Sequence, residues 1–399
     1  MMTLLARLRV LDLTDEKASF CSKLLADVGA EVIKIERPGG DTSRRLGPFW
    51  KDNPHPENSL FFWYNNTNKL GITLDLENNE GRRIFLKLAR QADVVIETFA
   101  PGYLDRIGLS YEVLSKKNRR LILASITDFG QTGPYNSYKS CAIVASALGG
   151  QMYVCGKPGA PPLQPYGQQP YYTASLFAAV GIFIALQERN RSGRGQHIDI
   201  SLQEAVAATL DHVMVRYFGE KTVPTRQGSL HWTGTAGLVP CQDGYILVTF
   251  DQAWETLVEL LDSEGMAADL KEKKWREENY RRQHAHHIIE VLASWTRTHT
   301  TDELFKLGQL MRLPWAPINS VPEVFHSPQL EARDFFISVK HPEAKTSFVY
   351  PGAPYKFSSS SLNLWQRAPF IGEDNTKVYH EELGFSREEM ANLSATNVI

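Results

Sequence analysis

The 399-residue chain has few cysteines: Cys21, Cys141, Cys155 and Cys241 stand far apart, with no C-x-x-C pair. That excludes a disulfide framework and a cysteine-based zinc site, and it suits a reducing, cytoplasmic setting. Charge of one sign is also lacking, since 43 Lys and Arg face 45 Asp and Glu for a net charge of −2. Recognition of nucleic acid needs a basic field, so no nucleic-acid partner is expected. No apolar run approaches the ~20 residues of a membrane span. The start, Met1 to Arg7, has no signal-peptide core, so no membrane association is expected either. G-x-G-x-x-G, P-loop and G-x-S-x-G motifs are all missing, which argues against a dinucleotide, a P-loop nucleotide and a serine elbow. There is no internal repeat, and the Ser358 to Ser361 run is the only low-complexity stretch.

What is present alternates between two periods. Arg9-Val10-Leu11-Asp12-Leu13 predicts a strand, and the amphipathic stretch Phe20 to Val28 predicts a helix that Gly29 stops. Glu31 to Ile35 predicts the next strand, closed by the loop Pro38-Gly39-Gly40-Asp41. Ile84, Phe85 and Leu88 share a helical face within Arg82 to Arg90, and Asp93 to Ile96 and Leu121 to Ala124 predict two more strands. Strands separated by helices imply an α/β fold with a parallel sheet covered on both faces, and ligands at the carboxyl ends of the strands.

Tyr172 to Arg189 predicts a long helix, apolar nearly all round and therefore buried, ended by the turn Ser192-Gly193-Arg194-Gly195. Gln196 to Leu202 alternates as a half-buried strand should. From about Lys221 glycines and prolines multiply before a strand at Tyr245 to Phe250 and charged amphipathic helices around Trp254 to Leu261 and His287 to Thr298. This marks a smaller domain reaching about Val324. The tail has turn chemistry at Pro351 to Pro354 and a capping-box helix at Ser386 to Glu389. His284-Ala285-His286-His287 could be metal ligands, but beside Arg281 and Arg282 a solvated helix start is the better reading, and no metal is expected. Lys271 to Arg276 reads as a solvated basic face, and Gly193-Arg194-Gly195 as a turn rather than an anion cradle.

Several blocks taken in order say more. Arg9 to Leu13, Gly29-Ala30-Glu31-Val32-Ile33-Lys34-Ile35-Glu36-Arg37-Pro38-Gly39, Asn68 to Leu76, Pro101-Gly102-Tyr103-Leu104-Asp105-Arg106-Ile107-Gly108-Leu109, Arg191 to Gln196 and Arg367 to Glu373 together resemble the class III CoA-transferases, the CaiB/BaiF family. The resemblance implies a Rossmann-like large domain, here 1–215 completed by 330–399, and a smaller α+β domain, 216–329, with two chains interlocked as a dimer. It implies coenzyme A thioesters and a carboxylic acid as substrates, with no covalently bound cofactor. The positions matching family contacts to coenzyme A are Arg37, Lys69, Thr98, Phe99, Ala100, Arg106 and Lys139. The cations among them suit a ligand carrying a 3′-phosphate and a diphosphate.

One departure decides the mechanism. In the family an aspartate just before the long helix attacks the thioester, passing through a mixed anhydride to an aspartyl-CoA thioester. In the register set by Gly181 to Leu186 that position is Tyr171, and no Asp or Glu occurs from Ala142 through Gln187. A phenol titrating near ~10 is neutral at pH 7 and a poor nucleophile. Lys17 also replaces a common glutamine, Ser19-Phe20 a Gly-Pro, and Cys141-Ala142 the His-Asp pair of the related racemases. Three readings follow. The chain is an accessory subunit paired with an aspartate-bearing paralogue, resembling two-subunit benzylsuccinate CoA-transferases in which one subunit lacks the aspartate. Alternatively it is an acyl-CoA enzyme using Tyr171, Tyr172 or Lys139, or an acyl-CoA-binding protein without chemistry. The first reading leads.

Overall fold

The computed structural model describes residues 4–360, 362 and 365–399; Met1 to Thr3 and Ser361 of the serine run lie outside the described residues. Strands β1 (Arg9–Leu13), β2 (Glu31–Glu36), β3 (Lys69–Thr73), β4 (Val94–Glu97), β5 (Ile122–Thr127) and β6 (His197–Ser201) form one sheet, ordered β3-β2-β1-β4-β5-β6. Every neighbouring pair is parallel. Apolar runs such as Val94-Val95-Ile96 are what a sheet buried on both faces demands. The order reverses between β1 and β4, so their carboxyl ends flank the crevice where such sheets bind ligands.

In chain order the helices up to residue 208 are α1 (Ser19–Asp27), α2 (Leu60–Asn65), α3 (Asn79–Ala89), α4 (Tyr103–Arg106), α5 (Tyr111–Lys117), α6 (Ala142–Leu148), α7 (Gln151–Val154), α8 (Gln169–Ser192) and α9 (Leu202–Ala208). Val10, Val94, Ile122 and Ala124 face α1 and α8 on one side of the sheet. Leu11, Ile33, Ile72, Val95 and Leu123 face α3, α5 and the chain's tail on the other. In α3 the Asn78 side chain caps the first turn, accepting from the Glu80 amide at 2.8 Å, and Ile84, Phe85 and Leu88 form its buried stripe.

The chain divides into two compact units: residues 1–151, 165–214 and 332–399, and residues 152–164 with 215–331. The stretch 152–164, expected with the large domain, groups with the second unit because Arg226 donates to the Tyr153 carbonyl and Gly228 to that of Gly156. That unit has a three-stranded antiparallel sheet, β7 (Ala236–Pro240), β8 (Tyr245–Thr249) and β9 (Ala316–Pro317), over a core rich in Trp254, Trp275, Trp295 and Trp315. Its His287 bonds Asp269 at 2.6 Å and stacks on Trp275, which accounts for that histidine without a metal.

The tail lies on the first unit. A Cβ at Gly71 would come within 2.7 Å of Pro369, so only glycine lets the returning segment lie against β3. Asp374 accepts from the Gly71 amide at 2.7 Å, and the Tyr379 hydroxyl donates to the Thr73 carbonyl at 2.6 Å. A hairpin of β10 (Phe336–His341) and β11 (Thr346–Pro351), not foreseen from the sequence, packs Val339 and Tyr350 against Trp63.

Two expectations about α8 change. It buries Tyr171, Ala174, Ala178, Ile182 and Ala185 along one stripe but leaves Leu176, Phe177, Val180, Phe183 and Ile184 exposed. An all-round apolar sequence therefore does not mean all-round burial here; small residues let one face pack closely while larger ones point outward. By length and hydropathy α8 also meets the criterion for a membrane span, which the sequence reading took to be absent, although 44% of its apolar window is buried within the fold.

The most buried polar cluster braces the sheet. Lys69 Nζ lies 2.9 Å from Asp12 Oδ2, 2.8 Å from Ser22 Oγ, 2.8 Å from Asn66 Oδ1 and 3.1 Å from the Ser19 carbonyl. Neither side chain of the pair is exposed. Burial opposes charge on Asp12, but Lys69 and Lys34, with the Ser22 and Thr14 bonds, outweigh it and hold the carboxyl well below its usual range. Burial pushes Lys69 down to about 8, so the ammonium persists at neutral pH. Lys69→Met should therefore cost ~3–5 kcal/mol in urea unfolding by orphaning a buried carboxylate. Adding Asp12→Asn should recover part of the loss; a single-variant cost under about 1 kcal/mol contradicts this account.

Candidate functional site

The turns after β1 and β4 are tied together at the crevice. The Asp15 amide donates to Thr98 Oγ1 at 2.8 Å, and Asp15 in turn pairs with Lys17 at 2.7 Å. At the end of β4, Glu97 Oε2 accepts from the Phe99 amide at 2.7 Å. Ser125, opposite Glu97 on β5, favours the ionised carboxylate, and its Oγ lies 2.9 Å from His197 Nε2 on β6. Burial pushes Glu97 up to about 7, with Asp15 and Asp199 adding to the shift against the two hydrogen bonds.

Two clefts flank the 98–104 loop. The first, of about 380 Å³, is bounded by Arg37, Leu74, Glu77, Phe99 and Tyr103. Arg37 is exposed there, and Arg106 lies over the Tyr103 ring at 5.0 Å and reaches Glu77 at 3.5 Å. The second, of about 360 Å³, has Ala100, Tyr111, Ser125 and His197 in its wall, with Glu97, Asp105 and Glu112 as its carboxylates. None of the described residues lining it is Lys or Arg. The first cleft sets Arg37 among the carboxylates Glu36, Asp41, Asp75 and Glu77, so an anion there would depend on Arg37 and the neighbouring Arg106; the second has no cation and favours uncharged or cationic groups.

Of the residues expected to contact coenzyme A, the structure gathers Arg37, Phe99 and Ala100 at these clefts, with Arg106 beside Tyr103. Thr98 is buried and spends its hydroxyl on Asp15. Lys139 lies on an exposed stretch between β5 and α6 and lines neither cleft. Lys69 is a correction: its ammonium is enclosed by Asp12, Ser22, Asn66 and the Ser19 carbonyl, so it serves the fold and cannot reach a phosphate. Glu97 and Tyr103 were missed; the signal for Glu97 was a carboxylate ending the apolar run Val94-Val95-Ile96.

Tyr171 is buried near the start of α8. It borders a narrow gap without room for a water molecule, shared with Glu16, Phe20, Gln168, Tyr172 and Ser175. Burial pushes its phenol well above the ordinary value, and Glu16, Asp128 and Asp15 push further, against a hydrogen bond from the Ala142 amide. Carboxylates distant in sequence thus stand near the tyrosine even though none occurs from Ala142 through Gln187. Glu16 Oε2, Gln168 Oε1 and Ser175 Oγ are buried there without hydrogen-bond partners. A phenol so placed stays protonated and is no nucleophile.

Comparison with known proteins agrees with this layout. The family model of CoA-transferase family III matches residues 5–375. The chain belongs to this family. It is 35% identical, over 97% of its length and 96% of the relative's, to a succinyl-CoA:(R)-benzylsuccinate CoA-transferase subunit of Thauera aromatica. It is 31% identical to the beta subunit of a succinyl-CoA–L-malate CoA-transferase of Chloroflexus aurantiacus, covering 99% of the chain and 98% of the relative. A formyl-CoA:oxalate CoA-transferase of Streptomyces coelicolor is 33% identical, with 98% of each covered. A crystal structure of a CaiB/BaiF family protein from Brucella suis superposes with a TM-score of 0.85 at 30% identity, covering 96% of this chain and 100% of that one. As a family III CoA-transferase, the chain works on CoA thioesters, and the strand ends around Arg37 and Phe99 lie where its fold binds ligands.

The Glu97 environment yields a stability prediction. Its folded value, about 7, lies above the ordinary 4.5, so the folded state holds an extra proton between those limits and loses stability as pH rises through that window. Glu97→Gln should remove this loss, gaining about 1–3 kcal/mol on wild type at pH 8 and far less at pH 4. Thermal melts of both proteins across that range give the comparison; a gap independent of pH would contradict it.

Proposed function

We propose that the chain is the accessory subunit of a two-subunit family III CoA-transferase, binding acyl-CoA beside an aspartate-bearing paralogue that carries out the transfer to a carboxylic acid. The observation that carries this reading is the narrow gap at Tyr171, which holds a neutral phenol at the position matching the family's carboxylate and has no room for a thioester carbonyl. Relatives named as transferase subunits support the pairing. So does the exposed strip Leu176, Phe177, Val180, Phe183 and Ile184, an apolar surface that an interlocked partner chain of the same fold would cover. Four free cysteines suit a reducing cytoplasmic setting.

Coenzyme A docks, in this reading, along the first cleft, with Arg37 and Arg106 as cations and the Thr98 to Ala100 turn beneath the ligand. Charge-assisted phosphate contacts contribute ~1.5–3 kcal/mol each, so Arg37→Ala and Arg106→Ala should each weaken CoA binding roughly ten-fold or more by calorimetry. Unchanged affinity in both variants would remove the cleft from consideration. The purified chain alone should not transfer CoA from succinyl-CoA to a panel of aromatic and dicarboxylic acids, and turnover should appear on adding the aspartate-bearing paralogue. Robust turnover by the homo-oligomer sinks the accessory reading.

One observation favours own-chain chemistry as a second reading: Glu16 brings an unpartnered carboxylate oxygen to the Tyr171 gap. Hydroxylamine trapping after incubation with acyl-CoA separates the two. A hydroxamate on Glu16 establishes the second reading, whereas no adduct on wild type, but one on Tyr171→Asp, marks a disabled transferase site.

A further inference from the structure

We propose that Glu97, Ser125 and His197 form a hydrogen-bond relay that sets the charge beneath the Thr98 to Ala100 turn and thereby couples coenzyme A affinity to pH. Glu97 acts here as a positioning residue. The inference rests on the proposed CoA-binding role of the first cleft.

The geometry that carries it is a continuous chain across three adjacent strand ends. The Phe99 amide donates to Glu97 Oε2 at 2.7 Å, Ser125 stands directly opposite Glu97 in the β4–β5 register, where its hydroxyl favours the ionised carboxylate, and Ser125 Oγ meets His197 Nε2 at 2.9 Å. A hydroxyl between a carboxyl group and an imidazole has two self-consistent arrangements. With Glu97 ionised, the Ser125 O–H donates to the carboxylate and its oxygen accepts from His197 Nε2–H. With Glu97 protonated, the carboxylic O–H donates to Ser125 Oγ, and the Ser125 O–H turns to a bare His197 Nε2. In the second state the ring proton has left Nε2 for solvent and Nδ1 has gained one. Every donor stays matched in both states, so one proton taken up at Glu97 reverses the whole chain.

The surroundings place this reversal near neutral pH. Glu97 is buried and faced by Asp15 from the turn after β1, which is itself paired with Lys17, and by Asp199 on β6. His197 is faced by Asp199, Asp105 and Glu112 and stacks on Tyr111 at 5.9 Å. Burial lowers its basicity, against the opposing pull of those three carboxylates. Glu97 also reaches the ligand turn directly, because Phe99, whose amide it holds, lines the first cleft. A buried negative charge there opposes a polyanionic ligand, and neutralising it favours binding. The Phe99 amide bond weakens at the same time, since a carboxylate accepts more strongly than a neutral carboxyl.

Calorimetry with CoA as the probe, on the full chain from pH 5.5 to 8.5, tests the coupling. Wild type should bind about three- to ten-fold more tightly at pH 6 than at pH 8, beyond the change intrinsic to the ligand. Glu97→Gln, which fixes the neutral arrangement, should lose that excess and bind at pH 8 nearly as wild type does at pH 6. Histidine ¹⁵N spectra of the unliganded chain supply a second readout. His197 should carry its proton on Nε2 in wild type at pH 8 and on Nδ1 in Glu97→Gln at the same pH. Ser125→Ala should cut the chain so that His197 no longer responds to Glu97, and it stands in should Glu97→Gln fail to fold. Identical pH dependence of CoA affinity in wild type and Glu97→Gln overturns the proposal, as does a His197 tautomer indifferent to Glu97. Absence of CoA binding at every pH instead sinks the functional reading and the affinity coupling with it; the relay itself is then decided by the ring spectra alone.

Discussion

The Asp12–Lys69 pair is the constraint around which the large unit is arranged. One carboxylate on β1 and one ammonium on β3 sit on either side of β2, each fully buried, and each needs every partner it has. Ser22 on α1 and Asn66 at the end of α2 complete the shell around Lys69, while Thr14 donates twice to Asp12 Oδ1, at 2.9 and 2.6 Å. A buried pair of this kind adds little net stability over an apolar substitute, but breaking it is costly, so it selects one arrangement of strands and helices over others. The turn after β1 is held by the same contacts. Asp15, two residues beyond β1, then ties that turn to Thr98 after β4.

That bracing explains how the crevice can be both polar and well ordered. The strand order reverses between β1 and β4, which opens a gap in the helical cover, and the two turns bordering the gap are locked to each other. Polar side chains there, Glu97 above all, are held by backbone amides and neighbouring side chains. The cleft with Arg37 has a volume of about 380 Å³, whereas the gap at Tyr171 has no room for a water molecule.

The second unit is a different kind of structure. Its core depends on tryptophans, with Trp275 packed against His287 and Trp295 against Trp315, around a small antiparallel sheet. Local patterning reported its strand at Tyr245–Thr249 and its helices, because amphipathic periods are local. The hairpin at Phe336–His341 and Thr346–Pro351 escaped notice, because its turn is formed around Lys345 in the left-handed region, without the Asn-Gly or Asp-Gly signal.

By itself the sequence determined the alternation of strand and helix, the family membership, and the absence of any Asp or Glu from Ala142 through Gln187. Those properties are carried by residue type and order along the chain. Only the tertiary structure decided which way the charged side chains point. Lys69 has the same formal charge as Arg37, but one faces a carboxylate in the core and the other is exposed at a surface cleft. Glu16 and Asp128 reach the surroundings of Tyr171 from distant positions, and α8 divides into a packed and an exposed face despite its uniform hydropathy. Periodicity reports the polarity of a residue's own side of a helix or strand. It carries no record of the partners that long-range packing brings opposite, and burial, ionisation and reactivity are all set by those partners.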